Sequence, residues 1–72
     1  MKKTFKLVDL DCANCAQKME DAIQKLPGVT GATVSFLLQK MTVEADESQF
    51  DSVMKQVVKT CRRIEPDCEI VL

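Results

Sequence analysis

The stretch Ala16-Gln17-Lys18-Met19-Glu20-Asp21-Ala22-Ile23-Gln24-Lys25-Leu26-Pro27-Gly28-Val29-Thr30-Gly31-Ala32-Thr33-Val34-Ser35-Phe36 contains the change of period that decides the fold. Ala16, Met19, Ile23 and Leu26 recur at separations of three, four and three residues, which places them on one helical stripe. Pro27 disfavours helical backbone in the residue before it and Gly28 permits a turn, so the helix is expected to stop there. From Val29 the period drops to two: Ala32, Val34 and Phe36 face one way, Thr33 and Ser35 the other, as in a half-buried strand.

Upstream of this stretch, Phe5 and Leu7 alternate with Thr4 and Lys6, predicting a first strand over residues 3–9. Downstream, residues 37–40 read as a connection. Met41, Val43 and Ala45 alternate with Thr42 and Glu44 as a third strand, forming a hairpin with the second. Ser48 and Asp51 have capping-box spacing, predicting a second helix whose apolar stripe is Phe50, Val53, Met54, Val57, Val58 and Cys61. Lys59, Arg62 and Arg63 lie near its end, where cations complement the helix dipole, and Pro66 forces the chain out of helix before a short fourth strand over residues 68–72. The order β-α-β-β-α-β is that of a ferredoxin-like α+β sandwich, a four-stranded antiparallel sheet with both helices on one face.

Length and composition narrow the function. A chain of 72 residues is expected to form a single domain over 1–72, because a domain of this size buries only about 60% of its unfolded surface. Hydrophobic residues make up 46% and charged residues 29%, which is globular, and the three phenylalanines leave a mostly aliphatic core. Ten basic against eleven acidic side chains give a net charge of −1, so no field holds nucleic acid or an acidic membrane surface. No apolar run approaches the roughly 20 residues that cross a bilayer, and Lys2-Lys3 leads into an alternating segment, so a cytoplasmic location is expected. Histidine is absent, which removes the usual neutral-pH base and the commonest nitrogen ligand.

Four cysteines remain, and without a secretory signal they read as metal-binding, redox or core thiols. Cys12 and Cys15 form a Cys-x-x-Cys pair between a predicted strand and a predicted helix, where backbone N–H groups and the positive dipole end favour thiolate. Zinc ribbons, dithiol oxidoreductases and metal carriers all use such a pair. A thioredoxin-like oxidoreductase needs further elements and a well-placed cis-proline that this chain lacks. A structural four-cysteine zinc site requires Cys61 and Cys68 to converge with the pair, which their predicted positions on a helix end and a strand make awkward. Catalytic residues are not expected.

The Cys12-Ala13-Asn14-Cys15 pair, the helix end Leu26-Pro27-Gly28-Val29, the Ala32-x-Val34 strand and the Thr42-Val43 strand together resemble the heavy-metal-associated domain. That family occurs as copper chaperones and as cytosolic N-terminal domains of metal-transporting P-type ATPases. The resemblance covers essentially the whole chain and implies reversible metal binding and transfer to a transporter's metal-entry region or from a metal-donor protein. Copper-handling members typically carry Gly-Met-Thr or Gly-Met-Ser before the first cysteine; here Asp9-Leu10-Asp11 stands instead, as in the zinc, cadmium and lead branch.

Charge points the same way. Two thiolates and the Asp11 carboxylate carry three negative charges, so Zn2+, Cd2+ or Pb2+ leaves −1 where Cu+ leaves −2. Zinc accepts sulfur and carboxylate together, whereas Cu+ prefers soft sulfur. The expected ligands are therefore Cys12, Cys15 and Asp11, with a Cu+ metallochaperone and a small dithiol oxidoreductase as alternatives. Asp9 is expected to face elsewhere.

The resemblance implies that Cys61 stands where the family has a glycine beside the metal, and Arg62 where it has the lysine or aromatic that neighbours it. Periodicity equally places Cys61 on the apolar stripe as a small hydrophobe. Cys68, Met19 and Met54 read as core. The domain is expected to work as a monomer, either alone or as part of a membrane transporter.

Overall fold

The alternating Phe5 and Leu7 drive the first strand, β1 (Lys2–Val8), in a computed structural model that describes residues 1–72. It is followed by α1 (Ala13–Gln24), β2 (Val29–Ser35), β3 (Lys40–Ala45), a single 3₁₀ turn (Glu47–Gln49), α2 (Phe50–Ile64) and β4 (Glu69–Val71). The sheet order is β2-β3-β1-β4 with every neighbouring pair antiparallel, so each β-α-β unit straddles a strand of the other. This is the expected ferredoxin-like topology.

One face of the sheet and one stripe of each helix share a single core. Leu7, Met41, Val43 and Ala45 come from the sheet, Ala16, Met19 and Ile23 from α1, and Phe50, Val53, Met54, Val57 and Cys61 from α2, with Leu10 and Cys68 closing one end. No polar or charged side chain is buried among them, so packing rather than ion pairing holds the layers together. Phe5 and Phe50 stack with ring centroids 6.5 Å apart, joining β1 to α2. The opposite face stays polar, as the exposed pair of Thr4 and Thr42 hydroxyls at 3.1 Å shows.

The β2 edge is covered by side chains of α1. Glu20 Oε1 accepts the Val34 N–H at 2.9 Å, and Gln24 Nε2 donates to the Ala32 carbonyl at 3.0 Å. Both backbone groups would otherwise offer a template for pairing with another chain.

Several boundaries depart from the sequence expectation: β3 takes in Lys40, β4 is shorter at Glu69–Val71, and three further departures have a local physical cause. β1 stops at Val8 because Asp9 adopts φ 63°, a left-handed turn that takes the chain out of the sheet. The first helix ends at Gln24, and Leu26 packs on the core from a turn in which its N–H donates to the Ile23 carbonyl at 3.0 Å. Pro27 accounts for this, since it keeps Leu26 out of continued helix. The third departure is a correction: Ser48 and Asp51 form no capping box. Asp46, extended at the end of β3, reaches Ser48 first, accepting from its N–H at 3.0 Å and its hydroxyl at 2.9 Å. These bonds, backbone first, hold the Asp46 carboxyl below its ordinary pKa, and α2 begins at Phe50 with no side-chain cap.

Gly28 turns the chain from α1 into β2 at φ +90°, and a Cβ there would lie 2.9 Å from Gln49 Oε1 and 3.0 Å from Val53 Cγ2. Gly28→Ala should destabilise the domain by about 1–3 kcal/mol, read as a lower urea midpoint. Cys61 supplies a second test. Burial, then Cys68, pushes its thiol up to about 12. The unfolded chain ionises this group near pH 8.5–9 while the folded chain keeps the proton, so this contribution is complete below that range and is lost as pH rises toward 12. Each such retained proton steepens the decline by about 1.4 kcal/mol per pH unit, and Cys61→Ala should flatten the fall in stability above pH 9.

Candidate metal centre

The loop between β1 and α1 has one buried anchor, Leu10, which is 2% exposed. Asp9 and Asp11 on either side of it are in solvent. Cys12 then has extended backbone, φ −130° and ψ 117°, and occupies the N-cap of α1. Its Sγ accepts the Cys15 N–H at 3.2 Å, and its carbonyl accepts the first helical N–H, from Ala16, at 3.0 Å. A thiol thus takes the role that Ser, Asp or Asn usually fills, satisfying one of the free N–H groups of the helix end.

Both pair thiols are half-exposed, and their acidities diverge. Hydrogen bonds from the Cys15 side chain, then the Cys15 and Asn14 backbone, lower the Cys12 pKa below the usual thiol value. Cys15 moves the other way, to about 11, first because its thiol proton is held toward Cys12, then through desolvation, the Cys12 charge and Glu65. In the metal-free pair Cys12 is therefore the more acidic thiol and Cys15 the one that keeps its proton longer.

Glu65, the C-cap residue of α2, places its carboxylate beside Cys15. The sequence reading missed it, because nothing in the period of α2 ties its last residue to a loop fifty positions earlier; the Pro66 break only marks where the helix must end. Asp11 is exposed, and no three His, Cys, Asp or Glu side chains converge at metal-binding spacing. The structure brings Cys12 and Cys15 together as a two-sulfur platform, with carboxylates at its margin.

The remaining thiols lie behind the site. Cys61 is 1% and Cys68 5% exposed; they belong to the core and line the floor of a groove of about 500 Å³ between the end of α2 and β4. Core packing is therefore the role the structure gives Cys61, of the two the sequence left open. Arg62 lies exposed on the rim of that groove. Met19 and Met54 are core residues, as expected.

Residues 4–67 match the heavy-metal-associated domain, a span that includes both thiols of the Cys12–Cys15 pair, both helices, β2, β3 and most of β1. The chain belongs to this family. The heavy-metal-associated domain is a metal-binding module without catalysis of its own. Among curated relatives, the cadmium, zinc and cobalt-transporting ATPase of Bacillus subtilis (strain 168) is 35% identical over 66 residues, covering 92% of this chain and 9% of the transporter. The zinc/cadmium/lead-transporting P-type ATPase of Escherichia coli (strain K12) is 36% identical over 56 residues, covering 74% of this chain and 8% of the transporter. The chain thus spans less than a tenth of these transporters' length. Copper-transporting ATPases are similar to it as well. The fold matches that of the CopZ metallochaperone with a TM-score of 0.72 at 22% identity, over 99% of this chain and 100% of that one. No helix is long and apolar enough to cross a membrane.

The split acidity makes the thiols of this heavy-metal-associated domain distinguishable by alkylation. In metal-free protein, iodoacetamide should modify Cys12 first, Cys15 more slowly while Cys12 is unmodified, and Cys61 and Cys68 only on unfolding. Glu65→Gln removes a negative charge beside Cys15, so the midpoint of its alkylation profile should fall below about 11. An unchanged midpoint would show that Glu65 does not act on this thiol.

Proposed function

We propose that this domain captures a divalent thiophilic ion, Zn2+, Cd2+ or Pb2+, through Cys12 and Cys15 with Asp11 as third donor, and hands it to the metal-entry region of a P-type ATPase. The observation that carries this reading is the Cys12–Cys15 platform at the N-terminus of α1 with the Glu65 carboxylate at its margin. A cysteine pair binds Cu+ and Zn2+ alike; the surrounding charge discriminates. With Asp11 engaged the ligands carry −3, and the Glu65 carboxylate adds negative potential beside Cys15. A divalent ion neutralises more of that charge, and zinc takes oxygen donors that Cu+ does not favour.

Transfer follows from exposure and acidity. Cys12, the more acidic sulfur, engages the incoming ion first, and each thiol releases its proton as it binds, Cys15 last. Two sulfurs and one carboxylate leave a tetrahedral ion one open position, where a ligand from the acceptor attacks before a departing sulfur lets go. The acceptor is the transporter itself, in cis or in trans. The domain acts as a monomer in the cytoplasm, and nucleic acid and the bilayer play no part.

Anaerobic competition titration of fully reduced protein against chelators tests this directly. Native protein should hold one equivalent of Zn2+, and Asp11→Ala should weaken zinc by about 10-fold or more while leaving Cu+ unchanged. Tight Cu+ binding insensitive to Asp11, with feeble zinc binding, would assign the domain to the copper carriers.

A further inference from the structure

One side chain joins the β2–β3 turn to the loop that carries Cys12. Gln39 Oε1 accepts the Leu10 N–H at 3.1 Å, and Gln39 Nε2 donates to the Leu10 carbonyl at 2.9 Å and to the Phe36 carbonyl at 2.7 Å. The Gln39 backbone carbonyl accepts the Leu7 N–H at 2.8 Å. A primary amide has the same donor and acceptor as a peptide group, so this side chain pairs with Leu10 at two points as a neighbouring strand would. Leu10 needs such a partner because Asp9 has already taken the chain out of the sheet.

The contact is specific rather than incidental to a turn. Gln39 and Asp9 are the two non-glycine residues with positive φ, 52° and 63°, and they lie on the two segments that this amide ties together. Left-handed backbone in such residues persists where the surroundings fix it. Leu10 is also the only buried residue between β1 and Ala16, so its backbone defines where Asp11 and Cys12 set out.

We propose that Gln39 is a positioning residue for the metal loop: by holding both backbone groups of Leu10 it aims the Asp11 carboxylate and the Cys12 sulfur at a common ion, and so sets affinity and preference for a divalent metal. This rests on Cys12, Cys15 and Asp11 being the ligands. Cu+, held by sulfur alone, is less dependent on the aim of Asp11.

Gln39→Met keeps the length of the side chain and removes the amide; Gln39→Glu keeps the acceptor for the Leu10 N–H and loses both donors. Val57→Ala serves as a control that lowers stability from the far side of the core. In metal-free protein the Leu10 amide should exchange faster in Gln39→Met, less so in Gln39→Glu, which keeps its acceptor, and at the native rate relative to global stability in Val57→Ala. Zinc affinity, measured with the metal and a competing chelator, should fall roughly 10–100-fold in the Gln39 variants, the range for groups that orient a metal ligand, with Cu+ affinity, which depends on the aim of Cys12 but not of Asp11, falling less. Native zinc affinity in Gln39→Met despite fast Leu10 exchange would overturn the proposal, as would an equal loss in Val57→Ala. Zinc retained by Cys12→Ser with Gln39 intact would overturn the ligand assignment instead, and the positioning role with it.

Discussion

The Cys12 sulfur holds the start of α1 by accepting the Cys15 N–H, and the geometry of the site follows from that contact. The same bond that satisfies a free helix N–H also favours the ionised form of the sulfur. Helix capping and thiolate formation are therefore one interaction, and the pair cannot be separated without fraying the first turn. Cys15, one turn along, is fixed by the helix itself and takes the opposite acidity because it faces the sulfur that its own N–H stabilises.

A stiff platform behind a solvent-exposed pair is what an ion carrier needs. Leu10 and Ala16 anchor the loop from either side, and Met19, Cys61 and Cys68 lie in the same core. The two inner thiols are shut away by burial, which pushes the pKa of both up and leaves Cys12 and Cys15 as the accessible sulfurs. Had Cys61 been on the surface beside Cys12 and Cys15, a third sulfur would compete for the ion and slow its release.

Most of this architecture is legible in the sequence because it is written in short periods. The change from three-and-four spacing to alternation at Pro27-Gly28 separates α1 from β2, and the stripe from Phe50 to Cys61 gives α2. Cys12 and Cys15 are adjacent enough in sequence to declare themselves as a pair. What periodicity cannot carry is contact between distant segments. Asp46 outcompetes the Ser48–Asp51 cap because β3 delivers it in extended conformation, Glu65 meets Cys15 across the fold, and Gln39 meets Leu10 across twenty-nine positions. Cys61 was ambiguous for a related reason: a helix stripe that ends near a site reads as core and as site lining alike, and only the depth of its last turn decides.

The buried thiol of Cys68 registers the charge at this end of the molecule. Its pKa is raised by burial first, then by Glu65, Asp9 and Asp11, three carboxylates drawn from two separate loops. Their potentials add at a point inside the protein, so the acids share a region even though none is packed against the next. Potential that penetrates to Cys68 also acts on the exposed pair, where Glu65 already raises Cys15. A cation arriving there meets an attraction proportional to its own charge, twice as large for a divalent ion as for Cu+. In the function proposed above, sulfur supplies affinity for any thiophilic metal, and this acidic surround, with Asp9 and Asp11 in solvent, favours the divalent ions among them.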